Sequence, residues 1–165
     1  MASYWTLSEQ VASIGPTHLD RVLAGETRAP SGEGAFARRF VQALQQRRLF
    51  LIEQGWLGQN DRTLATSALS KLASRELLAL TQQLSRELGL PVSSQTYGQV
   101  NGVYARKVDL AQGRMAVIIQ GASAVVVPWR APLEQFAGRH VEGLMRGQAI
   151  SWRLVRTSGI GLPPM

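Results

Sequence analysis

The stretch LASRELLALTQQLSRELGLP, residues 72–91, decides how the chain is divided. Apolar side chains recur every three or four residues from just upstream of this stretch to its end, which predicts one long amphipathic helix. They are Leu69, Ala73, Leu77, Leu80, Leu84 and Leu88. Asp61 or Thr63 is the predicted N-cap. Gly89 and Pro91 follow in the order that ends a helix, because glycine adopts a left-handed conformation and proline cannot continue the hydrogen-bond ladder.

After Pro91 the apolar period falls to two residues, which is typical of strands. Five short strands are predicted: GVYARKVDL (102–110), RMAVIIQ (114–120), SAVVVPW (123–129), RHVEGLMR (139–146) and AISWRLVRT (149–157). A short helical turn is predicted after Pro132, between the third and fourth of them. The pattern therefore predicts an α+β protein in which residues 96–158 form a small five-stranded β-barrel, OB-like or SH3-like, with a tail over 159–165.

The N-terminal part, residues 1–91, is predicted to be helical, with two long helices. The first covers residues 35–54, where Phe36, Phe40, Leu44 and Leu51 share one face. Arg47 falls on that same face, so either its side chain snorkels to solvent or the helix is interrupted there. The segment GETRAPSGEG, residues 25–34, is rich in glycine, proline and small polar residues and predicts a mobile loop.

Charge distinguishes the two halves. The net charge is +7, and of the 18 basic residues only Lys71 and Lys107 are lysine. Residues 1–95 hold 10 basic and 8 acidic side chains, whereas residues 96–165 hold 8 basic and only 3 acidic ones. A GC-rich genome would also favour arginine, but it explains the net charge less well. The basic surplus in the C-terminal part predicts a polyanionic partner there.

Several kinds of chemistry have no signal in the sequence. There is no cysteine, and the two histidines, His18 and His140, lie far apart without metal-ligand spacing. No phosphate-binding loop ends in Gly-Lys-Ser/Thr, and no Gly-x-Ser-x-Gly elbow is present. No apolar run reaches the ~18 residues of a membrane span, and the N-terminus lacks a secretory signal. We therefore expect a cytoplasmic protein that is not an enzyme, with no cofactor, no metal, no membrane partner and no small-molecule substrate.

Cationic and aromatic residues alternate through the predicted barrel, a combination that single-strand binders use on small barrels. Trp152 shares a strand face with Ile150 and Leu154, which favours a core position, whereas exposure and burial are equally compatible with Trp129. The predicted nucleic-acid-binding residues are Arg106, Lys107, Arg114, Trp129, Arg130, Arg153 and Arg156.

The motifs NGVY (101–104), VPW (127–129) and the closing segment after Trp152 resemble the C-terminal accessory region of TraI-like plasmid conjugative relaxases. The resemblance continues upstream through THLDRVL (17–23) and covers nearly the whole chain. In that family a tyrosine nucleophile and a histidine cluster that holds a divalent metal lie in a separate N-terminal domain, so the resemblance implies no catalytic residue here. The turn IIQGASA (118–124) departs from the family pattern, in which acidic residues are usual.

Two functions are compatible with these observations. The first is a non-catalytic accessory domain of a conjugation or mobilisation relaxase that binds DNA, single-stranded or duplex. The second is a protein-interaction module that docks a relaxosome onto a coupling protein or secretion channel, or that self-associates. The basic surplus favours the first, and the long leucine-rich helix with the C-terminal tail favours the second.

Overall fold

The computed structural model describes residues 5–147 and 149–154. Its α-helices are α1 (Leu7–Val11), α2 (His18–Leu23), α3 (Ala35–Glu53) and α4 (Thr66–Leu88). Its strands are β1 (Val92–Ser94), β2 (Tyr97–Leu110), β3 (Gly113–Gln120), β4 (Ser123–Pro128), β5 (His140–Arg146) and β6 (Ala149–Arg153), with a 3-10 helix at Ala131–Phe136 between β4 and β5. Among the described helices, none combines the length and hydropathy that a membrane span requires.

The chain divides into two compact units, neither of which is one continuous length of sequence. The helical unit comprises residues 1–80 together with 109–113, which are the end of β2, the turn after it and the first residue of β3. The sheet unit comprises residues 81–108 and 114–165. The division falls inside α4, between Leu80 and Thr81, so this helix contributes to both units.

Helix ends follow local chemistry. The side chains of Thr6 and Thr17 cap α1 and α2, each in a reciprocal capping box that satisfies two backbone N–H groups. Gly89 follows α4 with φ of +68°, as predicted for a glycine that ends a helix, and Gly55 follows α3 in the same left-handed conformation, with φ of +82°. The prediction of Asp61 or Thr63 as the N-cap of α4 was wrong, because the helix begins at Thr66.

Arg47 belongs to an unbroken α3 and is fully buried, so neither predicted alternative for it is correct. Its guanidinium donates from Nε and Nη2 to the two carboxylate oxygens of Asp20, at 2.7 and 2.8 Å. Its remaining donors bind the carbonyl oxygens of Val11, Ser13 and Gly15 at 3.1, 2.7 and 3.0 Å. The buried charge is therefore tolerated because every donor has an acceptor. On the same helix Phe36, which shares a face with buried Phe40, is itself 55% exposed.

A second buried charge in the helical unit is Glu76 on α4, which is only 4% exposed. Its carboxylate accepts from the backbone N–H groups of Ala111 and Gln112, at 2.7 and 3.2 Å, and from the Gln112 side chain at 2.9 Å. Burial raises the pKa of Glu76, and these hydrogen bonds lower it in part. A Cβ on Gly15 would come within 2.2 Å of the carboxylate, so a glycine is needed where the α1–α2 connection passes this group.

The six strands form one mixed sheet in the order β1-β4-β3-β2-β5-β6. The five predicted strands correspond to β2–β6, but the prediction of a closed five-stranded barrel was wrong. The missed strand, β1, pairs in parallel with β4, with Val92 opposite Ala124 and Ser94 opposite Val126. The edge of β4 that a closing strand would use is therefore occupied, and no β4–β6 ladder forms among the described residues.

The sheet is nonetheless curled. Cα atoms of β4 and β6 come within 8 Å of each other although three strands separate them in the sheet. In a flat sheet they would be about 19 Å apart, at roughly 4.8 Å per strand. The core cluster on the concave face comprises Val100, Tyr104, Ala116, Ile118, Val125, Val127, Leu133, Phe136, Val141, Met145 and Ile150. Trp152 packs against it, as favoured from the sequence, over Gly143, where a Cβ would come within 2.8 Å of the indole ring.

The opposite, convex face of the sheet is covered over only part of its width. On β3 and β4 its side chains are buried, including Met115, Val117, Ala124 and Val126. On β2, β5 and β6 the alternating positions on this face are all exposed among the described residues. An antiparallel sheet can be solvated on one face, and this part of the sheet is exposed to solvent.

Candidate nucleic-acid interface

Charge is distributed unequally between the two units. The helical unit holds nine basic and eight acidic residues, a net charge of +1. The sheet unit holds nine basic and three acidic residues, a net charge of +6. The sheet unit is therefore the one whose field attracts a polyanion.

Trp129 directly follows β4 and is held by two hydrogen bonds. Its backbone N–H donates to the carbonyl oxygen of Arg114 at 3.0 Å, which extends the pairing of β4 with β3. Its ring Nε1–H donates to the hydroxyl of Tyr104 at 2.9 Å, and Tyr104 is itself buried in the core. The indole ring is half-buried and held in one orientation.

Two cations lie against this ring. The Nζ of Lys107 is 5.5 Å, and the guanidinium carbon of Arg114 5.0 Å, from its centroid, both within the range of a cation–π interaction. We call Lys107, Arg114 and Trp129 the Trp129 cluster. The ring holds the two cations in place, and a nucleic-acid base could stack on it only in competition with them.

Glu134, on the 3-10 helix, lies beside the cluster. Its carboxylate accepts from Lys107 Nζ at 3.0 and 3.1 Å, with 39% of the lysine and 59% of the glutamate side chain exposed. An ion pair this exposed contributes at most about 1 kcal/mol. A phosphate group can therefore displace Glu134 at small cost.

Two further arginines flank the 3-10 helix. The carbonyl oxygen of Arg130 accepts from Leu133 at 2.9 Å, and that of Arg139 accepts from the backbone N–H of Tyr104 at 3.0 Å. Their side chains are exposed. Arg130 was predicted as a binding residue, whereas Arg139 was not. The pairing of Tyr104 with Arg139 places Arg139 at the end of the sheet that carries the cluster, and Arg130 directly follows Trp129 in sequence.

The other predicted residues lie elsewhere. Arg106, next to Lys107 in sequence, binds Glu87 on α4 at 2.5 Å, and this hydrogen bond lowers the pKa of the Glu87 carboxyl. Arg153 lies opposite Glu142 on the convex face, because Ile150 and Trp152 take the core positions of β6. Arg156 lies outside the described residues, as does the predicted tail. The structure therefore brings together Lys107, Arg114 and Trp129 and separates Arg106 and Arg153 from them.

The buried charges Arg47, Asp20 and Glu76 had no part in the predicted site. Thr17 and Asp20 have the spacing of a capping box, and an arginine on an apolar helix face requires an acidic partner. Those two signals together could have indicated the Arg47–Asp20 pair. Among residues 5–147 and 149–154, no group of three or more acidic or histidine side chains is placed to hold a metal ion.

This is an α+β protein with a helical unit and a curled, basic sheet unit. By sequence, residues 1–161 match the model of the DUF3363 family, described as proteins of unknown function, and the chain belongs to that family. No curated protein and no solved structure matches the chain.

Proposed function

We propose that the protein is a non-catalytic DNA-binding domain that contacts the phosphate backbone through the Trp129 cluster. The observation that carries this proposal is the pair of cations, Lys107 and Arg114, held against one indole ring on a unit of net charge +6. Holding the cations in place before binding reduces the side-chain entropy that is lost when a phosphate is bound.

The geometry favours contact with phosphate over base reading at this cluster. Arginine binds phosphate through a planar fork of donors, and lysine binds it as a point charge. Because the Trp129 ring is shared by two cations and its Nε1–H is bonded to Tyr104, its role is to position Lys107 and Arg114. Affinity should therefore depend little on DNA sequence and strongly on salt.

The resemblance to the accessory region of conjugative relaxases supports a place for this binding in plasmid mobilisation. In that setting the domain holds DNA while another domain cuts it. A protein-interaction role, in docking a relaxosome to a coupling protein or secretion channel, is the alternative if DNA is not bound.

The test is the double variant Lys107→Ala/Arg114→Ala, titrated with labelled duplex DNA at several salt concentrations. We expect weaker binding to every duplex sequence. The slope of log affinity against log salt should flatten by up to about 0.9 for each lost phosphate contact. The matched control is Arg39→Ala/Arg75→Ala, which removes the same charge from exposed positions on the helical unit. If both double variants bind equally, the cluster is not the binding site. If the parent protein binds no DNA at physiological salt, the proposed function is wrong.

A further inference from the structure

The exposed part of the convex face carries an unusual set of side chains. Tyr97 is 81% exposed, the largest exposed fraction of any large hydrophobic side chain in the described residues. It lies directly opposite Arg146, and two positions along β2 Gln99 lies opposite Leu144. Asn101, Glu142 and Arg153 form the next row across the three strands. From here on, the convex face means the exposed positions of β2, β5 and β6 in these three rows, from the row of Tyr97 and Arg146 to the row of Asn101, Glu142 and Arg153.

The backbone beneath Tyr97 is fixed. The side-chain amide of Gln95 donates to the carbonyl oxygens of Tyr97 and Gln99, at 3.0 and 2.8 Å. The carbonyl oxygen of neighbouring Thr96 accepts from the backbone N–H of Gly147 at 2.9 Å. The aromatic ring therefore projects from a rigid strand into solvent, with no core contact that accounts for it.

The composition of the face matches the chemistry of an unpaired nucleic-acid strand. A flat aromatic ring stacks on any base, and the amide side chains of Gln99 and Asn101 offer donors and acceptors to base edges. Arg146 and Arg153 are basic, and Glu142 is the one acidic residue among the face's described positions. A duplex cannot present unstacked bases to such a face, whereas a single strand can.

We propose that single-stranded nucleic acid lies across the convex face, with one base stacked on Tyr97 and its phosphates near Arg146 and Arg153. This is a second surface, separate from the Trp129 cluster, and it deepens the proposed function by specifying where an unpaired strand binds. The Cβ atoms of directly opposite residues on paired antiparallel strands are about 5 Å apart. The side chain of Arg146 can therefore reach the phosphate of a nucleotide stacked on Tyr97.

The experiment compares Tyr97→Ala with Tyr97→Phe in binding to a labelled oligothymidine strand and to a duplex. Because Tyr97 is exposed, neither substitution should alter thermal unfolding. The alanine variant should lose roughly 5- to 150-fold in affinity for the single strand and change less than about twofold for the duplex. The phenylalanine variant keeps the stacking surface and should bind the single strand as the parent does.

Further variants separate this proposal from the proposed function. Arg146→Ala/Arg153→Ala should weaken single-strand binding more than duplex binding, whereas Lys107→Ala/Arg114→Ala should weaken both. If the parent protein binds oligothymidine and Tyr97→Ala binds it equally well, the convex face is not the site, although the proposed function stands. Two other results would overturn the proposed single-strand site. One is that Tyr97→Ala loses as much affinity for the duplex as for the single strand. The other is that Tyr97→Phe loses as much single-strand affinity as Tyr97→Ala does.

Discussion

The helical unit and the sheet unit hold equal numbers of basic residues, nine each, but they use them differently. In the helical unit Arg47 is buried against Asp20, and eight acidic residues nearly balance the charge. In the sheet unit only three acidic residues are present, and the ion pairs Arg106–Glu87 and Lys107–Glu134 are exposed. The number of basic residues in a unit therefore does not by itself indicate what those residues do. The acidic residues and their burial decide whether a cation stabilises the fold or attracts a ligand.

The largest effect is expected where a charge is buried. Replacing Arg47 by Met should lower the free energy of unfolding by about 3–5 kcal/mol, because it leaves the Asp20 carboxylate buried without its partner. Urea denaturation measures this loss. The double variant Asp20→Ala/Arg47→Met should lose less than the sum of the two single variants, since neither charge is then left unpaired.

The matched control is Arg39→Met, on the same helix but exposed. It should change the unfolding free energy by less than about 0.5 kcal/mol. If Arg47→Met lowers the unfolding free energy no more than this control does, the buried ion pair does not stabilise the fold. The two units would then not differ in how they use their basic residues.

A smaller effect is expected from Glu76 as pH changes. Its pKa in the folded protein is raised above the ordinary value of 4.5 by burial, so the folded state holds the proton more tightly than the unfolded chain does. Its contribution to stability is therefore complete below pH 4.5 and is lost as pH rises through the raised pKa.

The measurement is the unfolding free energy of the parent protein and of Glu76→Gln at a series of pH values. The contributions of all other carboxyl groups cancel when the unfolding free energy of the variant is subtracted from that of the parent, and the glutamine side chain does not titrate. The parent's unfolding free energy, relative to that of the variant, should fall as pH rises. A difference that grows with pH would show that the hydrogen bonds from Ala111 and Gln112 outweigh burial.

The smallest effect concerns an exposed acid in the sheet unit. Glu134→Gln should change the unfolding free energy by less than about 0.5 kcal/mol. It should raise duplex affinity about two- to fivefold, because it removes the carboxylate that competes with phosphate for Lys107. Glu87→Gln is the control, since Glu87 pairs with Arg106 outside the Trp129 cluster. An affinity that falls, or that rises no more than in the control, contradicts the proposed role of Lys107.

Elements formed by local patterns were predictable, whereas their long-range partners were not. The C-terminal ends of α3 and α4 follow from Gly55 and Gly89, and strands β2–β6 follow from periodicity, whereas the start of α4 was misplaced. Strand β1 is three residues long, and its pairing depends on β4, some thirty residues away. No local signal shows that this segment takes the edge of β4 and leaves the sheet open.

The same distinction applies to the candidate site. That the C-terminal part is basic could be counted from the sequence, and Lys107, Arg114 and Trp129 do lie together. That Arg153 lies apart from them depends on the face of the sheet that its side chain takes, and that Arg106 does so depends on its ion pair with Glu87. The exposure of Tyr97 was not predicted, because a lone tyrosine at the start of a strand gives no indication of which face stays uncovered.

The placement of residues 109–113 in the helical unit bears on how the gene can be divided. A shortened gene ending after α4 would encode all four α-helices but would delete Ala111 and Gln112, which among the described residues supply three hydrogen bonds to the Glu76 carboxylate. A buried carboxylate deprived of its donors costs several kcal/mol, a large part of the stability of a small domain. The helical unit therefore depends on a segment that is encoded after α4, and the match to DUF3363 over residues 1–161 spans both units.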